Sequence, residues 1–172
     1  MKKTIGIVMT AFLFWMLPET PPDTPERLAV APAFAQPPAG ALAPAFALKD
    51  LSGKTFSLGD QKGKPVLIIF STTWCAYCRT EIPNFKKIYD TYAKRGLVVV
   101  NIDIGEPKSR VARFAEQHKL PYRVLLDEDG RVAEAYEIRG VPSLVLLDGK
   151  GRMVCHQCRS VESYLKILFE KP

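Results

Sequence analysis

Cysteine is scarce in this chain, with four residues in 172. That is too few to staple a loop-rich scaffold, so the cysteines point to redox or metal chemistry rather than to a disulfide framework. Long apolar runs are missing too. The stretch Thr4–Leu17 is shorter than the ~20 apolar residues a spanning helix needs. Basic clusters are absent: Lys and Arg outnumber Asp and Glu by 24 to 18, for a net charge of +6, but they are scattered and have no aromatic–basic stripe among them. This argues against nucleic acid as a partner and for a basic surface that meets acidic proteins or lipid headgroups. No internal repeat is visible. What remains is ordinary for one globular domain, with 47% hydrophobic and 24% charged residues.

Lys2 and Lys3 precede the apolar run Thr4–Leu17, the pattern of an export signal. Ala-x-Ala sites stand at Ala29–Ala31 and Ala33–Ala35, well downstream of that run. Cleavage after Ala35 and an uncleaved signal-anchor are the two readings, and both place the domain outside the cytoplasm, in a periplasm, either soluble or tethered to the inner membrane. Eight of the 14 prolines fall between Pro18 and Pro44. The expected organisation is therefore a signal or anchor over residues 1–17, a Pro/Ala-rich linker over 18–43 and a folded domain over 44–172.

Within that domain, Ala47–Leu51 and Lys54–Leu58 flank Ser52-Gly53 and predict a β-hairpin. Val66–Ser71 is apolar throughout, as in a strand buried on both faces. A helix is expected from Cys75 to Arg95, with Ile82, Phe85, Tyr89 and Tyr92 on its buried side, a kink at Pro83 and a stop at Gly96. Leu97–Ile104 reads as a strand. A second helix follows Pro107, with Val111, Phe114 and Ala115 on one face and His118 as a partly buried structural histidine. Arg123–Leu126 reads as a strand, Val132–Ile138 as a short helix, and Ser143–Asp148 with Arg152–Cys158 as a hairpin. A last helix follows Ser160. Strands alternating with helices give an α/β fold with a mixed central sheet.

The chemistry concentrates in Val66–Pro83. There an apolar strand ends in a polar turn, and a C-x-x-C pair, Cys75 and Cys78, opens a helix. A helix start offers unpaired N–H groups and partial positive charge, both of which favour thiolate over thiol. Cys75 is thus the expected nucleophile, and Cys78, nearly one turn on, the sulfur that resolves a mixed disulfide.

These residues resemble the thioredoxin superfamily. The likeness rests on TWCAYC, a proline eight residues after the first cysteine (Pro83) and Gly140-Val141-Pro142 before the penultimate strand. The N-terminal hairpin, Glu81 between Cys78 and Pro83, and the export signal resemble its TlpA/ResA-like exported thiol-disulfide oxidoreductases. The resemblance covers about Pro44 to the C-terminus. It implies a thioredoxin-like fold with an N-terminal β-hairpin extension and a redox-active Cys75–Cys78 disulfide in place of a cofactor. It also implies a cis Val141-Pro142 peptide facing the cysteines, with the Val141 backbone pairing with substrate and Trp74 in the docking surface. Thioredoxins carry a buried aspartate six residues before the first cysteine, where this chain has Ile69. Glu81 is then the expected proton acceptor for Cys78. The implied activity is disulfide reduction in exported proteins by a monomer. Apocytochrome c is among the suggested substrates, and a membrane thiol-disulfide donor would recycle the pair. Ala76-Tyr77, between the cysteines, tunes the potential.

Cys155 and Cys158 form a second C-x-x-C pair. Haem attachment would need a following histidine, but Arg79 and Arg159 follow the two pairs. A four-cysteine zinc site would consume the catalytic thiols. A local disulfide is awkward, because residues i and i+3 of a regular strand point to opposite faces ~10 Å apart, so a bulge would be required. With Gly149-Lys150 as hairpin tip, Pro142 falls opposite Gln157 or Cys158. That register returns Cys158 to the rim of the active site as a secondary redox group; the simpler reading keeps both as buried strand thiols. Two other functions compete for the first pair. Peroxiredoxin-like peroxide reduction matches Thr72 but lacks a proline at Ile68. A thioredoxin-like copper chaperone would need a C-x-x-x-C spacing and a distant histidine ligand, a place neither His118 nor His156 obviously takes.

Overall fold

The computed structural model describes residues 40–170. The expected signal at 1–17 and the linker as far as residue 39 lie outside the described residues. Gly40–Ala43, placed in the linker by composition, already pair with the folded chain. Gly40 N–H donates to Met153 O at 2.8 Å, Met153 N–H to Ala41 O at 2.8 Å, and Ala43 N–H to Gly151 O at 3.0 Å. They shield the outer edge of the last strand, where unpaired backbone groups would otherwise face solvent.

The chain forms a hairpin, β1 (Ala47–Asp50) and β2 (Thr55–Ser57), then β3 (Val66–Ser71), α1 (Ala76–Tyr92) and β4 (Val98–Ile104). The order continues with α2 (Lys108–Gln117), β5 (Arg123–Asp127), α3 (Arg131–Ala135), β6 (Ser143–Leu147), β7 (Met153–Cys158) and α4 (Glu162–Glu170). One seven-stranded sheet runs in the order β2-β1-β5-β4-β3-β6-β7. β3, β4 and β5 are parallel neighbours and the other pairings antiparallel, the mixed sheet expected.

Local chemistry explains the hairpin. One carboxylate oxygen of Asp50 accepts from Ser52 N–H (2.9 Å), Ser52 Oγ (2.7 Å) and Lys54 N–H (2.9 Å), while Gly53 takes φ +85°. Arg123 Nε donates to the other oxygen at 2.7 Å, tying the hairpin to β5. Burial works to raise the Asp50 pKa, but the bonds from Ser52 and Arg123, with that of Lys54, overcome it and hold the group at about 2.

Every residue of β3 is buried, and alternation splits them between two faces. Ile68 and Phe70 join Ile102, Tyr136, Val145 and Met153 on one side. Leu67 and Ile69 join Phe85, Ile88, Leu146 and Leu165 on the other, beneath α1 and α4. Ile69 is fully buried among apolar side chains, so no carboxylate acts from that position. α1 continues into a 3-10 turn and stops at Gly96, which takes φ +101°. α3 ends at Ala135, short of the expected Ile138, because Glu137 adopts φ +50° and the turn closes through Ile138 N–H to Ala133 O at 2.9 Å.

The β6–β7 register departs from expectation. Leu147 pairs with Met153, Leu146 with Cys155, Val145 with His156 and Leu144 with Cys158. Val154 and Gln157 are extra residues in β7, each a bulge. Cys158 therefore lies opposite Leu144 rather than Pro142.

Candidate active site

β3 delivers the chain to the C-terminal end of the parallel strands, where Cys75 becomes the N-cap of α1 with extended backbone (φ −71°, ψ 109°). Its sulfur accepts from Cys78 N–H at 3.0 Å, so the orphan donors of the helix start are aimed at it. Cys75 and Cys78 form a disulfide. Both are mostly covered, at 7% and 4% relative exposure. In the dithiol form the same N–H would stabilise a thiolate on Cys75.

The turn before Cys75 is held by a buried carboxylate. Thr73 N–H donates to Glu106 Oε2 at 2.5 Å and Thr73 Oγ1 to Glu106 Oε1 at 2.6 Å. Arg79 reaches back to Thr73 O at 3.1 Å. Asp103, two percent exposed on β4, has its pKa pushed up to about 8 by burial and then by the charge and hydrogen bonding of Glu106. At neutral pH Asp103 therefore tends to hold its proton. Sequence reasoning passed over both residues. The signal was an aspartate inside the apolar run Leu97–Ile104, a strand with no solvated face.

The opposite wall is the cis Val141-Pro142 peptide, as the resemblance implies. Val141 O lies 3.6 Å from Cys75 Sγ, and Ser143 Oγ donates to Gly140 O at 2.6 Å, fixing the turn that presents it. Trp74 and Tyr77 are 67% and 64% exposed on either side of Cys75. That is exposed aromatic surface flanking Cys75 in the chain.

A groove of about 590 Å³ leads away from this wall. Glu81 and Phe85 of α1, Val141 and Pro142, and Cys158 with Arg159 line it. Glu81 is half-buried and accepts from Asn84 Nδ2 at 3.4 Å. It lies one turn beyond Cys78 on α1. The structure thus brings Cys75, Cys78, Glu81, Trp74, Val141 and Pro142 to one end of the sheet.

Cys155 and Cys158 are paired as a second disulfide, not held as separate buried thiols. The bulge at Gln157 (φ +51°) removes the geometric objection. Cys155 and Cys158 now stand opposite Leu146 and Leu144, which share a face, and their Cα atoms are 6.1 Å apart. His118 caps α2 with its ring 4.4 Å from that of Phe114, away from both pairs. Among the described residues no helix is long and apolar enough to cross a membrane.

Residues 39–156 match the AhpC/TSA family. The chain is 36% identical over 114 residues to the thiol-disulfide oxidoreductase ResA of Geobacillus thermodenitrificans, covering 66% of each chain. The match to the ResA of Bacillus subtilis is 35% over 115 residues, or 67% of this chain and 64% of that one. The chain thus spans about two thirds of the length of these relatives. Among solved structures, it resembles the thioredoxin domain of thiol-disulfide oxidoreductase BVU-2223 from Bacteroides vulgatus. The TM-score is 0.69 at 30% identity, over 76% of this chain and 96% of that one.

Proposed function

The chain belongs to the AhpC/TSA family, and from that footing we propose that it is a ResA-like thiol-disulfide oxidoreductase working as a reductase of exported proteins. The observation that carries this is Cys75 at the N-cap of α1, disulfide-paired with Cys78 and facing Val141 O. Reduced Cys75 attacks a substrate disulfide, forming a mixed disulfide and expelling one substrate thiolate. Cys78 then attacks Cys75 Sγ, releasing the second substrate thiol and closing Cys75–Cys78. Two electrons and two protons pass to the substrate. Glu81, half-buried in the groove next to this helix turn, takes the proton from Cys78 as it becomes nucleophilic.

The substrate chain lies along Val141-Pro142 and over Trp74 and Tyr77. The Lys2–Leu17 segment exports the domain to the periplasm, as a cleaved signal peptide or an inner-membrane tether. A membrane thiol-disulfide donor then re-reduces Cys75–Cys78, and the cysteines of apocytochrome c are one suitable substrate, which would place the protein in cytochrome c biogenesis. The vicinal resolving cysteine favours this reading over peroxide reduction, which needs no C-x-x-C.

Reduction of insulin disulfides, followed as turbidity, tests the reading. The wild-type chain should catalyse it and Cys75→Ala should fall to the uncatalysed rate. Activity surviving in Cys75→Ala would sink the assignment.

A further inference from the structure

The Cys155–Cys158 disulfide takes no part in that reaction, yet it opens on the same groove. Its two sulfurs differ in access. Cys155 is 6% exposed and packed with Leu146, Val161 and Leu165, whereas Cys158 is half-buried and lines the groove with Glu81 and Pro142. Only Cys158 is placed for attack by a group entering from solvent, and access is one of the determinants of which sulfur reacts. Arg139 and Arg159 line the same stretch. Positive charge there draws an incoming thiolate towards Cys158.

The two residues between these cysteines grip the segment that becomes the cis-proline wall. His156 Nε2 is 2.8 Å from Tyr136 O, and Gln157 Nε2 donates to Glu137 O at 3.0 Å. From there the chain runs directly to Gly140-Val141-Pro142. Gln157 holds a left-handed backbone that non-glycine residues seldom adopt, and the disulfide closes across it.

We propose that Cys155–Cys158 is a second redox-active pair that exchanges with a protein dithiol bound in the groove, Cys158 being the sulfur attacked and Cys155 the leaving group. This rests on the groove being where protein thiols dock. A thiolate of the bound partner attacks Cys158 Sγ, the Cys155–Cys158 bond breaks, and Cys155 leaves as thiolate. The second thiolate of the partner attacks its own sulfur in the mixed disulfide and expels Cys158. The partner is oxidised to a disulfide, and its two electrons and two protons end on Cys155 and Cys158. With both pairs reduced, the chain holds four exchangeable electrons, two at each pair.

The test is differential alkylation of the full-length protein, equilibrated in a series of glutathione buffers and resolved by peptide mass spectrometry. Cys155–Cys158 should reduce within roughly a hundredfold of the thiol-to-disulfide ratio that half-reduces Cys75–Cys78. Persistence of the second disulfide beyond that range would show it to be structural and overturn the proposal. A second arm uses Cys75→Ala/Cys78→Ala/Cys155→Ala, which leaves Cys158 alone, with a peptide carrying a thionitrobenzoate mixed disulfide. Stoichiometric release of thionitrobenzoate and a peptide adduct on Cys158 are expected; an unmodified Cys158 overturns the proposal. Insulin reduction by the wild-type chain is read in parallel. An inert second pair in a chain that reduces insulin removes this inference alone. A chain that reduces no disulfide removes the reading beneath it as well.

Discussion

The molecule carries the same four-residue spacing, Cys-x-x-Cys, on two different backbones. At Cys75 and Cys78 the spacing lies on a helix start, where i and i+3 share a face and the backbone N–H of the second residue points at the first sulfur. At Cys155 and Cys158 it lies on a strand, where the same spacing would put the sulfurs on opposite faces. The bulge at Gln157 brings them together. The first pair therefore needs only local structure to be paired, although Glu106 braces the turn before it. The second needs a tertiary irregularity to be paired at all, and no helix start supports its accessible sulfur. Spacing alone does not define a redox site; the backbone beneath it decides what the spacing does.

The comparison can be strained at several points. The largest effect should come from the packing that supports both pairs. Leu146 is fully buried beneath α1 and α4 and pairs across the sheet with Cys155. Leu146→Ala should cost about 2–5 kcal/mol in chemical unfolding, as large-to-small core changes do. Next comes the proposed proton acceptor, Glu81. Glu81→Gln keeps size and hydrogen bonding but removes the base, and single-turnover reduction should slow by roughly 10²-fold with substrate affinity little changed. An unchanged rate would return Glu81 to a half-buried surface role.

A smaller effect is expected where the second pair acts as a tether. Closing so short a loop restricts the unfolded chain by only ~2 kcal/mol on the chain-entropy account. Cys155→Ala/Cys158→Ala should therefore destabilise the fold by no more than about that amount in urea titration, less than Leu146→Ala. The last expected effect concerns the buried acids that brace the first pair, and it is read as a pH dependence. Asp103 titrates at about 8 in the fold and near 4 when unfolded. Between those values the native state holds a proton that the unfolded chain releases, so its contribution to stability is full below pH ~4 and is lost as pH rises through about 8. Asp103→Asn should flatten the decline in melting temperature between pH 5 and 9; an undiminished decline would place its origin elsewhere.

Much of this was legible in the residues. The apolar run of β3, the Ser52-Gly53 turn and the Cys75–Cys78 helix start are short-range patterns, set by side-chain period and turn chemistry, and the elements fall within a few residues of expectation. Glu81 and Pro142 were reached through family likeness, and the structure places both on the groove. The failures share a cause. The pairing of Cys155 with Cys158 depended on a bulge at Gln157 that no residue announces, because Gln157 is an ordinary strand-compatible side chain. The Asp103–Glu106 pair was hidden because its significance comes from Thr73, which is 33 residues from Glu106 in the chain and bonded to it in the fold.

The sequence by itself determined the alternation of strands and helices, the cysteine pair at a helix start and the redox class of the chemistry, since each depends on neighbours within a turn or two. Only the tertiary structure decided where the second cysteine pair would sit. Register across β6 and β7, and burial between two helices and a sheet, are sums over distant contacts, and they put Cys158 on the groove that Glu81 and Pro142 also line.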